Sequence, residues 1–158
     1  MLTAMPKEMP WLTVGRATFS VEVLGAPSDE VKDLLAQTIW GSPRGLRYRN
    51  KSIQWSHLRA VRIFQARDGG GCLVAAAVYA EMSWGYYLAA VAALRGHAPM
   101  GLAVRLCQLG FEALAPTLRE GQAFAGLVVS DNRAAMRAVA HAGLRPQTGL
   151  DAVLISRR

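Results

Sequence analysis

The chain has 158 residues, 52% of them hydrophobic, and a formal net charge of +7. That is the size of a single domain, 1–158, with enough apolar surface to build a core without disulfide staples. Its two cysteines, Cys72 and Cys107, lie in apolar stretches far apart. They fit no zinc spacing and read as reduced, buried thiols, so no metal site is expected.

Met1–Trp11 carries no apolar signal core, and the longest apolar runs, Cys72–Ala80 and Tyr86–Leu94, are too short to span a bilayer as helices. The expectation is a soluble cytoplasmic protein with no membrane partner. Leu12–Leu24 alternates loosely and reads as a strand with a turn at Gly15. Ser28, followed by Asp29 and Glu30, is a helix start: an N-cap hydroxyl with acids in the first turn. Val31, Leu34, Leu35 and Ile39 supply its apolar stripe, and Gly41-Ser42-Pro43 ends it. Gly45–Ser56 is polar and irregular. Leu58–Gln65 reads as a strand, and Asp68–Gly71 as a tight turn.

Cys72–Ala80 and Tyr86–Leu94 have no alternation, as expected of strands buried on both faces. The short break between them predicts an antiparallel hairpin. Arg95–Ala98 is a loop, and Pro99 suits the first turn of a helix running to about Leu114. Arg105, Gln108 and Glu112 fall on one narrow face of that helix, so the rest of it should be buried. Phe124–Val129 is a strand, Asn132–Ala142 a helix closed by Gly143, and Ala152–Ser156 a last strand. The order is that of an α/β sandwich.

The charge is uneven. From Leu34 to Arg67 there is no acid, while Arg44, Arg47, Arg49, Lys51, Arg59, Arg62 and Arg67 all fall there. Such a patch suits a phosphate-bearing ligand, an acidic carrier protein or nucleic acid, or is a solvated face without a specific partner. Nucleic acid rests on charge alone, because no groove-reading motif accompanies it.

The helix Asn132–Gly143 and the strand before it resemble the fourth-helix motif of the GNAT superfamily of acyl-CoA-dependent N-acyltransferases. Asn132, Ala135, Gly143 and Leu144 match its Asn, Ala, Gly and apolar positions. The element order fits over roughly Leu58–Ser156. The resemblance implies a GNAT-like sandwich: a central, mixed but mostly antiparallel sheet with helices on both faces. It implies acetyl-CoA or another acyl-CoA as acyl donor. By position, Val91, Ala92 and Ala93 would contact pantetheine, and Asn132 would bond the arm from the other side. Arg95, Gly96, His97, Ala98 and Gly101 would line the pyrophosphate, where loop N–H groups and a helix dipole favour an anion.

Two positions depart from the family pattern. Counting from Arg95, its glycine positions hold Ala98 and Met100, and Gly101 stands one residue late. Its tyrosine, seven residues after the Asn, is Val139 here, and His141 points elsewhere on the helix. Glu81, the one acid between Asp68 and Glu112, is the candidate base; the alternative is a solvent-facing hairpin glutamate. Tyr86 or Tyr87 could supply a proton, with alternation sending only one of them toward the cleft; Tyr87 is the candidate. Trp40, Trp55 and Trp84 read as core or rim.

The functional expectation is transfer of an acetyl or longer acyl group to a primary amine of a small molecule or peptide. The alternatives are a GNAT-fold binding module without catalysis, or an enzyme whose acyl donor is a carrier protein docked on the basic face. A homodimer is compatible with all of these.

Overall fold

A computed structural model describes residues 11–37, 39–41, 47–49, 55–129, 133–146 and 152–157. β1 (Leu12–Val14) and β2 (Ala17–Leu24) are a hairpin turning at Gly15, whose φ is +62°. The helix α1 (Asp29–Gln37) starts as its acids and hydroxyl dictate: Ser28 Oγ accepts the Val31 N–H at 3.3 Å. Val31, Leu34 and Leu35 are its buried stripe.

Ile39, assigned above to that stripe, instead opens β3 (Ile39–Gly41), which pairs antiparallel with β4 (Arg47–Arg49). Ile39 and Trp40 are strand-favouring residues, and here that preference outweighs the helical spacing. β4 and a single 3-10 turn (Trp55–His57) occupy the segment expected to be irregular.

The sheet's centre is β5 (Val61–Arg67), β6 (Leu73–Met82) and β7 (Gly85–Ala93). Every residue from Leu73 to Ala80 is buried, as the unbroken apolar run demands. β5 starts three residues later than its alternation suggested and is covered on both faces. Arg62 and Gln65 are therefore buried within it. Asp68 ties the β5–β6 turn with its side chain, accepting the Gly70 and Cys72 N–H groups at 3.0 and 2.9 Å.

Next come α2 (Leu102–Leu114), β8 (Ala123–Val129), α3 (Arg133–His141), β9 (Arg145–Pro146) and β10 (Ala152–Arg157). The strand order is β1-β2-β5-β6-β7-β8-β10-β9, and every neighbouring pair is antiparallel except β7–β8. α1 lies on one face, over Ile63, Ala76, Val78 and Ala92. α2 and the end of α3 lie on the other, over Phe64, Ala77, Tyr79 and Phe124.

Tyr79 is the hub of that second core. Its ring meets Phe64, Phe111 and Phe124 edge-on at 5.4–6.1 Å, and its hydroxyl donates to the Cys107 carbonyl of α2 at 2.8 Å. Cys107 is buried as expected, and burial pushes its thiol up to about 12. Cys72 corrects the expectation: it is exposed, because β6 begins only at Leu73 and the turn carries Cys72 outward. α3 ends in a Schellman cap. Leu144 N–H donates to the Val139 carbonyl and Gly143 N–H to that of Ala140, with Gly143 at φ +100°. Among the described residues no helix is long and apolar enough to cross a membrane.

Candidate functional site: a fork between two parallel strands

β7 and β8 are paired over four rungs only, from Gly85–Ala123 to Leu88–Gly126. Beyond them β7 runs on to Ala93 and β8 to Val129 without pairing. Each strand stays bonded on its outer flank, β7 to β6 through Ala93 and β8 to β10 through Val129. A gap therefore opens between them, edged by unpaired backbone groups.

The point of divergence coincides with a bulge. Val78 faces Ala90 while Tyr79 faces Leu88, so Ala89 has no cross-strand partner. A bulge adds local twist and bends its strand. The exposed β7 edge is lined by small residues. Val91 and Ala93 are half-buried toward the α2 core, and Ala92 is buried toward α1.

β7 leads straight into the loop before α2. The Leu94 carbonyl accepts the N–H groups of both His97 and Ala98, at 3.1 and 2.9 Å, so those two donors face inward. Pro99 has no N–H. It lies ahead of the helix rather than in its first turn, and its carbonyl accepts the Leu102 N–H. Among the described residues nothing engages the N–H groups of Arg95, Gly96, Met100 or Gly101.

Gly101 is the N-cap of α2 at φ +93°, without a side-chain cap, and no acid stands in the first helical turn. The first-turn N–H groups of Ala103 and Val104 have no intrahelical acceptor. The glycine that stands one residue late in sequence thus sits at the mouth of the helix, where a left-handed residue is required. The result is a cluster of unengaged backbone donors at a helix N-terminus, whose dipole favours an anion. Met100 beside it is 98% exposed.

The two catalytic candidates are not brought together. Glu81 faces Tyr86 across the hairpin, so those two share a face of the sheet, and Tyr87 lies on the opposite face. Tyr86 is the packing member of the tyrosine pair: it is buried, stacks on Phe124 at 5.6 Å, and its hydroxyl meets Thr117 Oγ1 at 2.6 Å. Tyr87 is half-buried, one residue from the fork. Glu81 stands across β7 from the gap, two rungs before the last β7–β8 pair. It lines an open hollow of about 400 Å³ with Met82, Ser83, Gly85, Tyr86, Thr117, Arg119 and Gln122. Neither the bulge at Ala89 nor this hollow has a signal in the sequence.

Asn132 lies outside the described residues. Val139, in the family's tyrosine position, is core. His141 is exposed, and its carbonyl accepts Gln108 Nε2 at 3.1 Å. The basic stretch is partly neutralised. Arg67 holds Glu30 through two hydrogen bonds of 2.8 and 2.9 Å and sits 3.7 Å from Glu22. Arg62 is buried, bonded to the Val61 carbonyl. Arg59 is exposed, and Arg44 and Lys51 fall outside the described residues.

No protein-family model and no curated protein sequence matches the chain. Solved structures do. The chain is similar to an acetyltransferase from Bacillus subtilis in complex with CoA, with a TM-score of 0.66 and 14% identity over 88% of this chain and 97% of that one. It is similar to the ribosomal-protein-S18-alanine N-acetyltransferase from Escherichia coli, with a TM-score of 0.63 and 15% identity over 87% and 92%. Nourseothricin acetyltransferase gives a TM-score of 0.57 and 15% identity over 87% and 97%.

Proposed function

We propose that this chain, which has the GNAT acetyltransferase fold, is a single-domain N-acyltransferase (1–158) that takes an acetyl or longer acyl group from coenzyme A to a primary amine. The observation that carries the reading is the fork. Two parallel strands separate at a bulge, and one of them feeds a loop and an uncapped helix N-terminus rich in free N–H groups. Solved neighbours of this fold include proteins crystallised with CoA or acetyl-CoA.

The donor set fits the group. Gly96, Met100, Gly101 and the first turn of α2 would hold the pyrophosphate through backbone N–H groups, with Arg95 adding charge and His97 at the rim. Val91, Ala92 and Ala93 offer an unpaired strand edge for the amide groups of pantetheine, and Asn132 would meet the arm from the other side. When bound, acyl-CoA supplies an activated thioester. The chain would orient it, and backbone N–H groups at the Ala89 bulge would polarise its carbonyl. Tyr87, beside the fork, would donate a proton to the departing thiolate. Glu81, on the other face, would have no direct contact with the reacting atoms.

Calorimetric titration with acetyl-CoA, and then with a long-chain acyl-CoA, tests the reading. Micromolar binding of either is expected. A carboxylate introduced by Gly96→Asp, at a position with open space and a left-handed φ that Asp tolerates, should weaken binding at least tenfold, or by about 1.4 kcal/mol. Tyr87→Phe should leave binding intact and slow thiol release with an amine acceptor by about a hundredfold. Wild-type protein that binds neither ligand would discard the acyl-CoA reading in favour of a carrier-protein donor or a binding module.

A further inference from the structure

The hollow at the closed end of the β6–β7 hairpin has a chemistry the fork does not use. Its wall carries one carboxylate, Glu81, and one guanidinium, Arg119, and no ion pair joins them. Neither has any other charged partner among the described residues. Glu81 is half-buried and Arg119 exposed, so both charges are open to a ligand of opposite sign.

The hydroxyls beside it are oriented by their bonds. Thr117 has one proton and gives it to the Leu114 carbonyl at 2.7 Å. Tyr86 must therefore donate to Thr117 across their 2.6 Å contact, and the Tyr86 oxygen keeps its acceptor capacity. Tyr86 faces Glu81 directly across the hairpin. Glu81 and the Tyr86 oxygen thus offer acceptors on one face of the sheet, and Arg119, exposed, lines the same hollow.

The frame around them is held by hydrogen bonds. Gln122 clamps it, bonding the Arg119 N–H at 2.8 Å and the Ser83 carbonyl at 3.0 Å. Gly85 forms part of the lining, and the strand pairing beside it leaves no room for a Cβ, which would run into the Ala123 carbonyl. At about 400 Å³ the space suits a small molecule.

We infer that this hollow is a second ligand site, for a free α-amino acid, with the ammonium on Glu81 and Tyr86 and the carboxylate on Arg119. It is separate from acyl transfer. Tyr86 is three residues, or about 10 Å, from the Ala89 bulge, too far for attack at the fork. The inference does not depend on the acyltransferase reading.

Saturation-transfer NMR of the whole chain with each common L-α-amino acid, and with putrescine as a diamine lacking a carboxylate, tests it. At least one amino acid should bind saturably at low-millimolar concentration or better. Glu81→Gln and Arg119→Gln should each weaken that binding about tenfold or more. Gly96→Asp, at the other end of the sheet, should leave it unchanged. No saturable amino-acid binding would overturn the inference. So would binding that survives Arg119→Gln, putrescine binding as well as the amino acid, or loss of binding in Gly96→Asp, which would locate the ligand at the α2 loop instead.

Discussion

The same two strands, β7 and β8, behave in opposite ways at their two ends. From Gly85 to Leu88 they are hydrogen-bonded to each other, stacked through Tyr86 and Phe124, and tied by Gln122 to the hairpin. From Ala89 onward they part, and β7 shows a run of alanines and a valine, mostly half-buried, with its backbone groups facing a gap. Backbone groups that lose their ladder must find water or a ligand. The closed end is therefore where stability is concentrated, and the open end is where the fold offers unfilled bonding capacity.

The comparison breaks most visibly at Gly85. Its φ is +138° and a Cβ would meet the Ala123 backbone, so Gly85→Ala should destabilise the protein by about 3 kcal/mol or more, read as a fall in thermal midpoint. Tyr79→Phe tests whether α2 is held over the bulge by more than packing. It removes the bond to the Cys107 carbonyl and should cost about 1 kcal/mol in urea denaturation, with the ring contacts kept.

Gly126, the last residue of β8 paired with β7, sharpens the contrast. A methyl there would sit in ordinary contact at 3.4 Å from the Leu88 carbonyl, so Gly126→Ala should change stability by no more than about 0.5 kcal/mol. The smallest effect is expected at the open-end edge of β5. The Arg67 hydrogen bond holds the Glu30 carboxyl below its ordinary value near 4.5. A lowered carboxylate contributes stability above its ordinary value and loses it as pH falls through the lowered one. Thermal midpoints of Glu30→Gln should therefore match wild type in strong acid and fall slightly below it at neutral pH. The Glu30 side chain is mostly exposed, so the difference is small.

Much of this was legible in the chain. Ser28 with two acids gave the start of α1, and Gly143 the end of α3. Two unbroken apolar runs gave the central hairpin, because burial on both faces leaves no room for a polar alternation. These are local rules of capping, period and turn chemistry, which act over a few residues whatever the rest of the fold does. The helical stripe that included Ile39 and the burial assigned to Cys72 failed for the same reason: spacing alone does not tell where an element stops.

The sequence by itself determined the order of the main helices and the central strands, the hairpin at the centre and the resemblance of the last helix to acyltransferases, but not the short strands β3, β4 and β9. Only the tertiary structure decided what the site is made of. The unpaired Ala89, the four-rung limit of the β7–β8 pairing and the face that separates Glu81 from Tyr87 all depend on register between strands, and the hollow that Glu81 shares with Arg119 depends on the packing of a loop against the hairpin. A one-residue shift of register exchanges the faces of a strand while leaving its composition and period untouched, so no local pattern carries that information.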